Sequence, residues 1–363
     1  RDIIFGAPCR AQYELADILT ERLPGLDKVR FTNSGTEATM MAMRTARAFT
    51  QRDIILKMDG GYHGSHDFTE VNITPDLSGN ELPKARLEQR GVPDCVLDAV
   101  MVARFNDLDS VEAILKQHSD RIAAVIVEPV MNASGIIAAD PDFLRGVRQL
   151  ADCYGVLLIF DEVVTLRLHE HGIQGKYDVV PDITALGKVM GGGFAVGAFG
   201  GREEIMHFFD PAVPHSFHHS GTFNGHNFAM AAGAAAMRAL TPEKIEHINI
   251  LGKNLAEGIA EAAALNGVWE NTTQSGSLLY MQWCRDPVAD AADVLRWKKR
   301  AAELPKLMHM ELLNRGVFTA NRGLMNISTP MDRSVIDRIV EAVDGALKRL
   351  KPYIKEQVPH LLR

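Results

Sequence analysis

Seven short apolar runs, separated by helical stretches, constrain the fold of this 363-residue chain more than any other feature. Such runs, rich in β-branched side chains, are typical of buried strands. The predicted strands are residues 28–31, 54–58, 100–104, 123–127, 156–160, 183–186 and 196–199. Strands that alternate with helices in this way form a mainly parallel sheet with both faces covered. We therefore predict an α/β fold built on a mainly parallel, seven-stranded sheet covered by helices.

The stretches between these runs have the periodicity of helices. Leu15, Leu19 and Leu23 fall on one helical face of residues 13–23. We predict further helices at residues 37–49, 109–117, 142–154, 227–240 and 248–265. Residues 75–93 are polar and contain several prolines and glycines. We therefore predict a long loop there, and loops of this length often act as lids.

The character of the chain changes near residue 240. Beyond it, a helical stretch is followed by short strands predicted near residues 277–282 and 324–328. This pattern is typical of an α+β arrangement rather than a continuing parallel sheet. We predict a large domain over residues 1–240 and a smaller C-terminal domain over residues 241–363.

Composition excludes several classes of protein. The net charge is −7 without any basic block, which argues against binding to nucleic acid or to an anionic membrane. The apolar runs are far too short to span a bilayer, and residues 1–10 contain no apolar stretch of signal-peptide length. The four cysteines are widely scattered, which is typical of free thiols in a reducing compartment. We expect a cytoplasmic location.

Familiar catalytic and metal-binding signatures are absent. Position 189, where a Walker loop containing Lys188 would need serine or threonine, is valine, and there is no GxSxG sequence. The histidine groups lack the HExxH spacing and a clear carboxylate partner, so we expect no metal site.

Lys188 indicates the chemistry most directly. It follows a predicted strand and precedes Gly191 to Gly193, whose backbone lets a bulky group approach closely. Asp161 lies 27 residues upstream, after the apolar run 156–160, where a carboxylate is nearly buried and needs a partner. We expect Lys188 to be buried as well, since burial would lower the pKa of its amino group and make it a better nucleophile.

Two polar loops accompany this pair. Ser34, Gly35 and Thr36 open a predicted helix, and the free N–H groups and dipole at a helix N-terminus favour a phosphate. The alternative for this loop is a simple serine or threonine helix cap. The second loop runs from Ser220 to Asn224. An imine-forming lysine, a buried carboxylate and two loops suited to a phosphate are what pyridoxal 5′-phosphate (PLP) requires.

With these motifs in order, the chain resembles the class III aminotransferases of PLP fold type I. The similarity extends from about Tyr13 to about Pro330, and is strongest towards glutamate-1-semialdehyde aminomutases and β-amino-acid (β-phenylalanine-type) aminotransferases. The family usually has several tens of residues before the matching segment. Those residues would normally supply part of the substrate pocket.

The resemblance implies roles for the residues of both motifs. Lys188 would hold PLP as a Schiff base, and Asp161 would bind the nitrogen of the pyridine ring. Val163 would pack beneath the ring, while Glu162 would orient its neighbours. The segment from Gly60 to Gly64 resembles the family's aromatic platform, so Tyr62 would stack on the face of the pyridine ring, and His63 beside it is also implied to bind the cofactor. Ser34, Gly35 and Thr36 would bind the phosphate, and Glu128 would lie near the 3-hydroxyl side of the ring.

Two further residues are implied to act on the partner subunit and on the substrate. Thr222 would reach the phosphate of the neighbouring subunit's cofactor, so the resemblance implies a homodimer with shared active sites. Arg322 would bind a substrate carboxylate through its two-pronged guanidinium group, as a keto-acid acceptor such as 2-oxoglutarate or pyruvate requires.

One departure from the family pattern concerns the substrate. Most relatives have Thr-Gly-Phe-Arg after the Asp-Glu-Val sequence, whereas this chain has Thr165, Leu166, Arg167 and Leu168. Apolar Leu166 and Leu168 beside the pocket would favour an aromatic or aliphatic donor. We therefore expect a transaminase, favouring a β-amino acid, that passes the amino group to an α-keto acid. The alternatives are a glutamate-1-semialdehyde 2,1-aminomutase and a non-catalytic PLP-binding protein.

Overall fold

Two compact units make up the chain. The computed structural model describes residues 7–79 and 82–363. The first unit contains the described residues up to Pro129 together with Ala139–Pro242, and the second contains Val130–Ala138 and Glu243–Arg363. The chain therefore enters the second unit at residue 130, returns to the first at residue 139 and leaves it again after residue 242.

The described residues contain twelve strands and eleven α-helices. The strands are β1 (Lys28–Thr32), β2 (Ile54–Met58), β3 (Val100–Ala103), β4 (Ile122–Val127), β5 (Val130–Met131), β6 (Ile137–Ala138), β7 (Leu157–Asp161), β8 (Ile183–Gly187), β9 (Gly197–Gly201), β10 (Thr273–Ser275), β11 (Leu278–Tyr280) and β12 (Leu324–Asn326). The helices are α1 (Arg10–Arg22), α2 (Gly35–Thr50), α3 (Leu108–His118), α4 (Pro141–Tyr154), α5 (Gly172–Tyr177), α6 (Glu203–Met206), α7 (Asn227–Ala239), α8 (Pro242–Leu265), α9 (Ala291–Arg300), α10 (Leu304–Asn314) and α11 (Arg333–Gln357).

A seven-stranded sheet forms the centre of the first unit, in the order β1-β9-β8-β7-β4-β2-β3. Only β9 runs against its neighbours, and the remaining pairs are parallel. This confirms the predicted mainly parallel sheet, and the ends of the predicted strands shift by no more than two residues. Because β1, β2, β4, β7 and β8 run in the same direction, their carboxyl ends lie along one edge of the sheet, where α/β proteins place their ligands.

Continuous apolar sequence explains why the sheet is covered on both faces. Every residue of β2, β4 and β7 is buried, which an alternating strand with one wet face would not show. Helix α2 packs Met41, Ala42 and Ala46 into the same core as the sheet. These side chains recur at helical spacing, and each large one contributes about 1.5–3 kcal/mol through burial.

The predicted lid region is irregular over its described residues. Between residues 75 and 93 the regular pairing is a single antiparallel bridge, from Leu87 to Val71. Asn80 and Glu81, within the predicted loop, lie outside the described residues. The loop prediction is confirmed for the rest, and its action as a lid stays a prediction.

The second unit has its own core around a small antiparallel sheet, β10-β11-β12, and the hairpin β5–β6. Helix α8 begins at Pro242, six residues before the predicted start, and shares this core with helices α10 and α11. Within the described part of the chain, no helix is both long enough and apolar enough to cross a membrane.

Candidate active site

Asp161 and His63 form a buried pair at the carboxyl edge of the sheet. Asp161 is the last residue of β7, and its Oδ2 lies 2.9 Å from Nδ1 of His63, which follows β2. Its Oδ1 accepts a hydrogen bond from the backbone N–H of Val163 at 3.1 Å. Both side chains are almost completely shielded from solvent. The carboxylate is therefore held by two donors and keeps lone pairs for a third.

The environment keeps His63 neutral. Burial lowers the pKa of His63, and this outweighs the hydrogen bond and charge of Asp161, which raise it. A neutral ring that donates to Asp161 carries its proton on Nδ1, which leaves Nε2 as an acceptor. Nε2 is buried and has no hydrogen-bond partner among the described residues.

Lys188 emerges beside Asp161 from the neighbouring strand. It directly follows β8, which pairs in parallel with β7, so both side chains leave the same edge of the sheet. Its φ of 49° is in the left-handed region, which is unusual for a residue with a side chain. The residue is exposed, and its side chain makes no hydrogen bond to any of the described residues. The expected burial of Lys188 is therefore wrong for the protein alone, because Gly192 and Gly193 beside it are also exposed and cover nothing.

The Ser34 loop begins helix α2 as expected. Ser34 is the N-cap, and its Oγ accepts a hydrogen bond from the backbone N–H of Glu37 at 3.1 Å. The serine therefore makes the simple cap that was the alternative in the sequence analysis. This cap does not use the N–H groups of Gly35 and Thr36, which belong to the first turn, where N–H groups have no partner within the helix.

Close backbone packing ties this helix to the rest of the site. A Cβ atom on Gly35 would lie 2.9 Å from Cγ1 of Val163, so glycine is required there for Val163 to pack as it does. Gly64 has a φ of +96°, and a Cβ on it would lie 2.6 Å from Thr36. Thr36 Oγ1 also accepts a hydrogen bond from the N–H of Ser65 at 3.2 Å.

Tyr62 and Glu128 are linked across two strand ends. The backbone N–H of Tyr62 donates to Oε1 of Glu128 at 2.8 Å, and Glu128 follows β4 as a buried carboxylate. The hydroxyl of Tyr62 lies 3.2 Å from Oγ of Ser65, while 38% of the residue is exposed. Tyr62 is therefore held through its backbone and its hydroxyl, while part of the residue stays exposed.

Thr222 and Arg322 are not joined to this group by any described hydrogen bond. Thr222 is exposed and lines a cavity of about 590 Å³ with residues from α1, β1 and the 219–227 segment. Arg322 belongs to the second unit and is exposed. Burial raises the pKa of Tyr280, and the charge of Arg322 partly offsets this effect. The roles of both residues stay predictions.

Leu166 differs from its sequence-based interpretation. It is completely buried in a core cluster with Leu15, Leu19 and Leu186, so it fills the interior of the unit rather than the wall of an open pocket. The loop before it is fixed by Glu162, a fully buried carboxylate. Glu162 accepts hydrogen bonds from the backbone of Ile173 and Gln174 and from the side chains of Thr165 and Gln174.

Lys57, the fourth residue of β2, is completely buried and was not among the residues predicted for the site. Its Nζ donates to the carbonyl oxygens of Gly61, at 2.9 Å, and Val71. A lysine within the run Ile54 to Met58, otherwise apolar, is the signal that could have found it. No group of three or more His, Cys, Asp or Glu residues in residues 7–79 and 82–363 is arranged to hold a metal.

These residues fit PLP. Asp161 has lone pairs left for a ring N–H, Lys188 presents an accessible amino group on the adjacent strand, and Gly35 and Thr36 begin a helix of 16 residues suited to a phosphate. Tyr62 is a partly exposed aromatic residue at the same edge of the sheet. These observations concern shape and chemical complementarity, and the individual contacts with PLP remain predictions.

Comparison with known proteins gives the family. The sequence profile of class-III aminotransferases matches residues 3–330. A glutamate-1-semialdehyde 2,1-aminomutase 2 of Geobacillus kaustophilus is 38% identical over 351 residues, covering 96% of this chain and 80% of that protein. The solved structure of an ω-transaminase from Sphaerobacter thermophilus has a TM-score of 0.91 and 41% identity, covering 96% of this chain and 80% of its own. The solved structure of a β-phenylalanine aminotransferase from Variovorax paradoxus has a TM-score of 0.83 and 36% identity, and the match covers 95% of this chain and 76% of that one.

The profile covers most of the chain, and the fold agrees with these structures over nearly its whole length. The resemblance to PLP fold type I is therefore confirmed. The chain belongs to the class III aminotransferases and is a PLP-dependent enzyme.

Proposed function

We propose that this enzyme is a glutamate-1-semialdehyde 2,1-aminomutase, which moves an amino group between two carbons of one substrate. The observation that supports this most is the similarity to proteins of that name, at 38% identity over 96% of the chain. The expectation drawn from the sequence was different: it favoured a β-amino-acid transaminase and gave the aminomutase as an alternative. One argument for that expectation was an apolar pocket wall at Leu166, and Leu166 lies in the core instead.

The chain's own residues can be assigned to the steps of either reaction. When bound, PLP supplies a ring that withdraws electrons from the carbon being deprotonated. Asp161 would bind the ring nitrogen, and His63 would orient Asp161 through the 2.9 Å hydrogen bond. Lys188 would hold the cofactor through Nζ and then move a proton with the same atom. The first turn of α2 would bind the phosphate, and Tyr62 would cover the ring.

A second candidate is transamination of a β-amino acid or related amine with an α-keto acid such as 2-oxoglutarate or pyruvate. The similarity to the ω-transaminase, at 41% identity, and to the β-phenylalanine aminotransferase supports it. In this reaction Arg322 would bind the carboxylate of the keto acid. A non-catalytic PLP-binding role has no observation in its favour.

The proposal includes a homodimer in which Thr222 of one subunit binds the cofactor phosphate of the other. This part of the proposal is supported by Thr222, which is exposed, lines the cavity of about 590 Å³ and makes no hydrogen bond to the Asp161 group. A cytoplasmic location is also part of the proposal. It is supported by the free state of all four cysteines.

The test is to supply the purified enzyme with glutamate-1-semialdehyde and no acceptor, and to measure 5-aminolevulinate. An aminomutase should form product at a rate that added 2-oxoglutarate or pyruvate does not raise. Lys188→Ala is the inactive control. If product forms only with a keto acid and a β-amino donor, and Arg322→Ala raises the KM for that keto acid, the transaminase is the correct assignment.

A further inference from the structure

Lys57 is an unusual residue for the interior of a sheet. It is the fourth of the five residues of β2 and is completely buried. A lysine is almost never fully buried unless its charge is compensated. What surrounds Nζ therefore indicates what the side chain is for.

Nζ is surrounded by carbonyl oxygens from both ends of one loop. It donates to Gly61 at 2.9 Å, to Val71, and to Asn72 at 3.5 Å. Gly61 stands at the beginning of the segment 60–72, and Val71 and Asn72 stand at its end. The amino group therefore closes this segment, which we call the Lys57 loop, with the three donors that it has available.

The Lys57 loop carries the residues that reach the active site. Tyr62 and His63 are the first two residues after Gly61, and their contacts with Glu128 and Asp161 are made while the loop is closed. The backbone N–H of Gly60 also donates to the carbonyl of Asn72 at 2.9 Å, so the two ends of the loop touch directly as well.

The same loop is attached to the predicted lid. Asn72 Nδ2 donates to Asp59 at 2.8 Å, and the other oxygen of Asp59 accepts from the backbone N–H of Asp76 at 2.8 Å. Asn72 Oδ1 accepts from the backbone N–H of Arg86 at 2.8 Å. Asp76 and Arg86 both lie in the irregular segment 75–93. The buried polar group of Lys57, Asp59 and Asn72 thus joins the base of that segment to the loop that holds Tyr62 and His63.

We propose that Lys57 is a positioning residue of this enzyme, which closes the Lys57 loop and so fixes Tyr62 and His63 at the carboxyl edge of the sheet. The inference rests on the proposed function for what those two residues do with the cofactor. It does not depend on which of the two reactions the enzyme catalyses. Lys57 would act through the loop and would touch neither cofactor nor substrate.

The lowered pKa of Lys57 predicts how the opening of the loop should depend on pH. Burial lowers the pKa of Lys57 to about 8, partly offset by the charges of Asp59, Glu128, Glu88 and Glu70. His63 also faces this charge, and its own pKa is lowered further by it. Opening the loop would return Lys57 to water, where its pKa is higher, so protonation favours the open state. The closed loop should therefore open more readily as pH falls from about 10.5 to about 8, and the effect should level off below that, where both states are protonated.

The experiment compares hydrogen exchange, PLP affinity and steady-state kinetics of the wild type with Lys57→Met, which keeps the length of the side chain but removes its donors. Asp182→Asn is the matched control, because Asp182 is also buried and bound to Arg148 and to the N–H of Leu158, but lies before β8 at the opposite edge of the sheet. Exchange is measured without PLP and corrected for the intrinsic rate at each pH.

Lys57→Met should speed exchange of residues 60–72 by about tenfold or more, since the carbonyls of Gly61, Val71 and Asn72 lose the amino group that donates to them. It should raise the dissociation constant of PLP by a similar factor and lower kcat more than it raises KM. Asp182→Asn should change neither the loop nor the PLP affinity by more than about twofold, even at an equal loss of melting temperature. Loop exchange and PLP affinity no more affected in Lys57→Met than in the control would overturn the proposal.

A measurement on the wild type alone covers the case in which Lys57→Met does not fold. Corrected exchange of the Lys57 loop should accelerate as pH falls from about 10 to about 8, by at most about tenfold per pH unit. A flat profile over this range would also overturn the proposal. The exchange results do not depend on which reaction the enzyme catalyses. If Lys188→Ala retained full activity, the proposed function would be wrong, but the exchange rates would still show whether Lys57 closes the loop.

Discussion

The hydrogen bond between His63 and Asp161 allows the most direct test of the site. We would replace His63 with leucine, which is of similar size and cannot donate to Oδ2 of Asp161, and with asparagine, whose amide can take the place of Nδ1. The leucine variant leaves Asp161 with one described donor, the N–H of Val163 at 3.1 Å. If Asp161 must be oriented to hold a ring nitrogen, the two variants should separate.

The magnitude follows from the burial of the pair. A hydrogen bond to a charged group contributes about 1.5–3 kcal/mol, and both side chains here are almost completely buried. If 2–3 kcal/mol of orientation is lost in the transition state, the rate of the deprotonation half-reaction should fall roughly 30- to 150-fold in His63→Leu. His63→Asn should recover most of this, to within about tenfold of wild type, with a residual loss from its smaller volume.

The assay is single-turnover kinetics with excess enzyme, following the absorbance of the bound cofactor, together with the melting temperature of each variant. The melting temperature separates a loss of folding from a loss of orientation. A leucine variant within about threefold of wild type would refute the reasoning. So would an asparagine variant as slow as the leucine variant, because then the donor at Nδ1 does not matter.

Four further outcomes are expected from other residues. Lys188→Ala should abolish turnover and shift the absorbance of bound PLP, while PLP still binds; normal turnover would contradict the assignment of Lys188. Asp161→Asn should keep the fold but lose about 10²-fold or more in rate, because a neutral amide cannot keep the ring nitrogen protonated, and a rate within twofold would make Asp161 structural. Thr222→Ala should weaken PLP binding, and dilution should release the cofactor if two subunits share the site; a fully active monomer in sedimentation would exclude this. Since the pKa of His63 is lowered in the fold, its contribution to stability should be present above its unfolded pKa of about 6.5 and be lost as pH falls below it, a dependence that His63→Asn should lack in thermal melts.

Sequence patterns predicted the sheet well because most of its strands, such as β2, β4, β7 and β8, are largely apolar runs that are buried on both faces, although β1 is partly exposed. The strand at residues 54–58 was located to the residue, although it contains Lys57. Helix α11 shows the limit of the patterns that were used. Its Ile336, Val343 and Leu347 recur at helical spacing after the N-cap Asp332, but the helix was not predicted.

The site could be predicted only in part, because sequence order identifies side chains but does not determine their partners. The positions of Asp161 and Lys188 after adjacent strands follow from the pattern of a parallel sheet. The hydrogen bond between His63 and Asp161 joins residues 98 positions apart, and no local signal specifies it. Leu166 was misinterpreted for the same reason: an apolar residue beside a motif can face a pocket or the core, and only packing with Leu15 and Leu19 decides between them.

The excursion of the chain through the hairpin β5–β6 has a consequence for synthesis and for genetic dissection. Residues 130–138 are translated before the rest of the second unit, and Thr273, which donates to the carbonyl of Gly135, follows more than 130 residues later. At ribosomal speeds, Thr273 is synthesised on the order of ten seconds after the hairpin. A gene fragment for residues 243–363 therefore encodes an incomplete unit, whereas the same fragment with residues 130–138 appended through a linker carries all the residues of that unit.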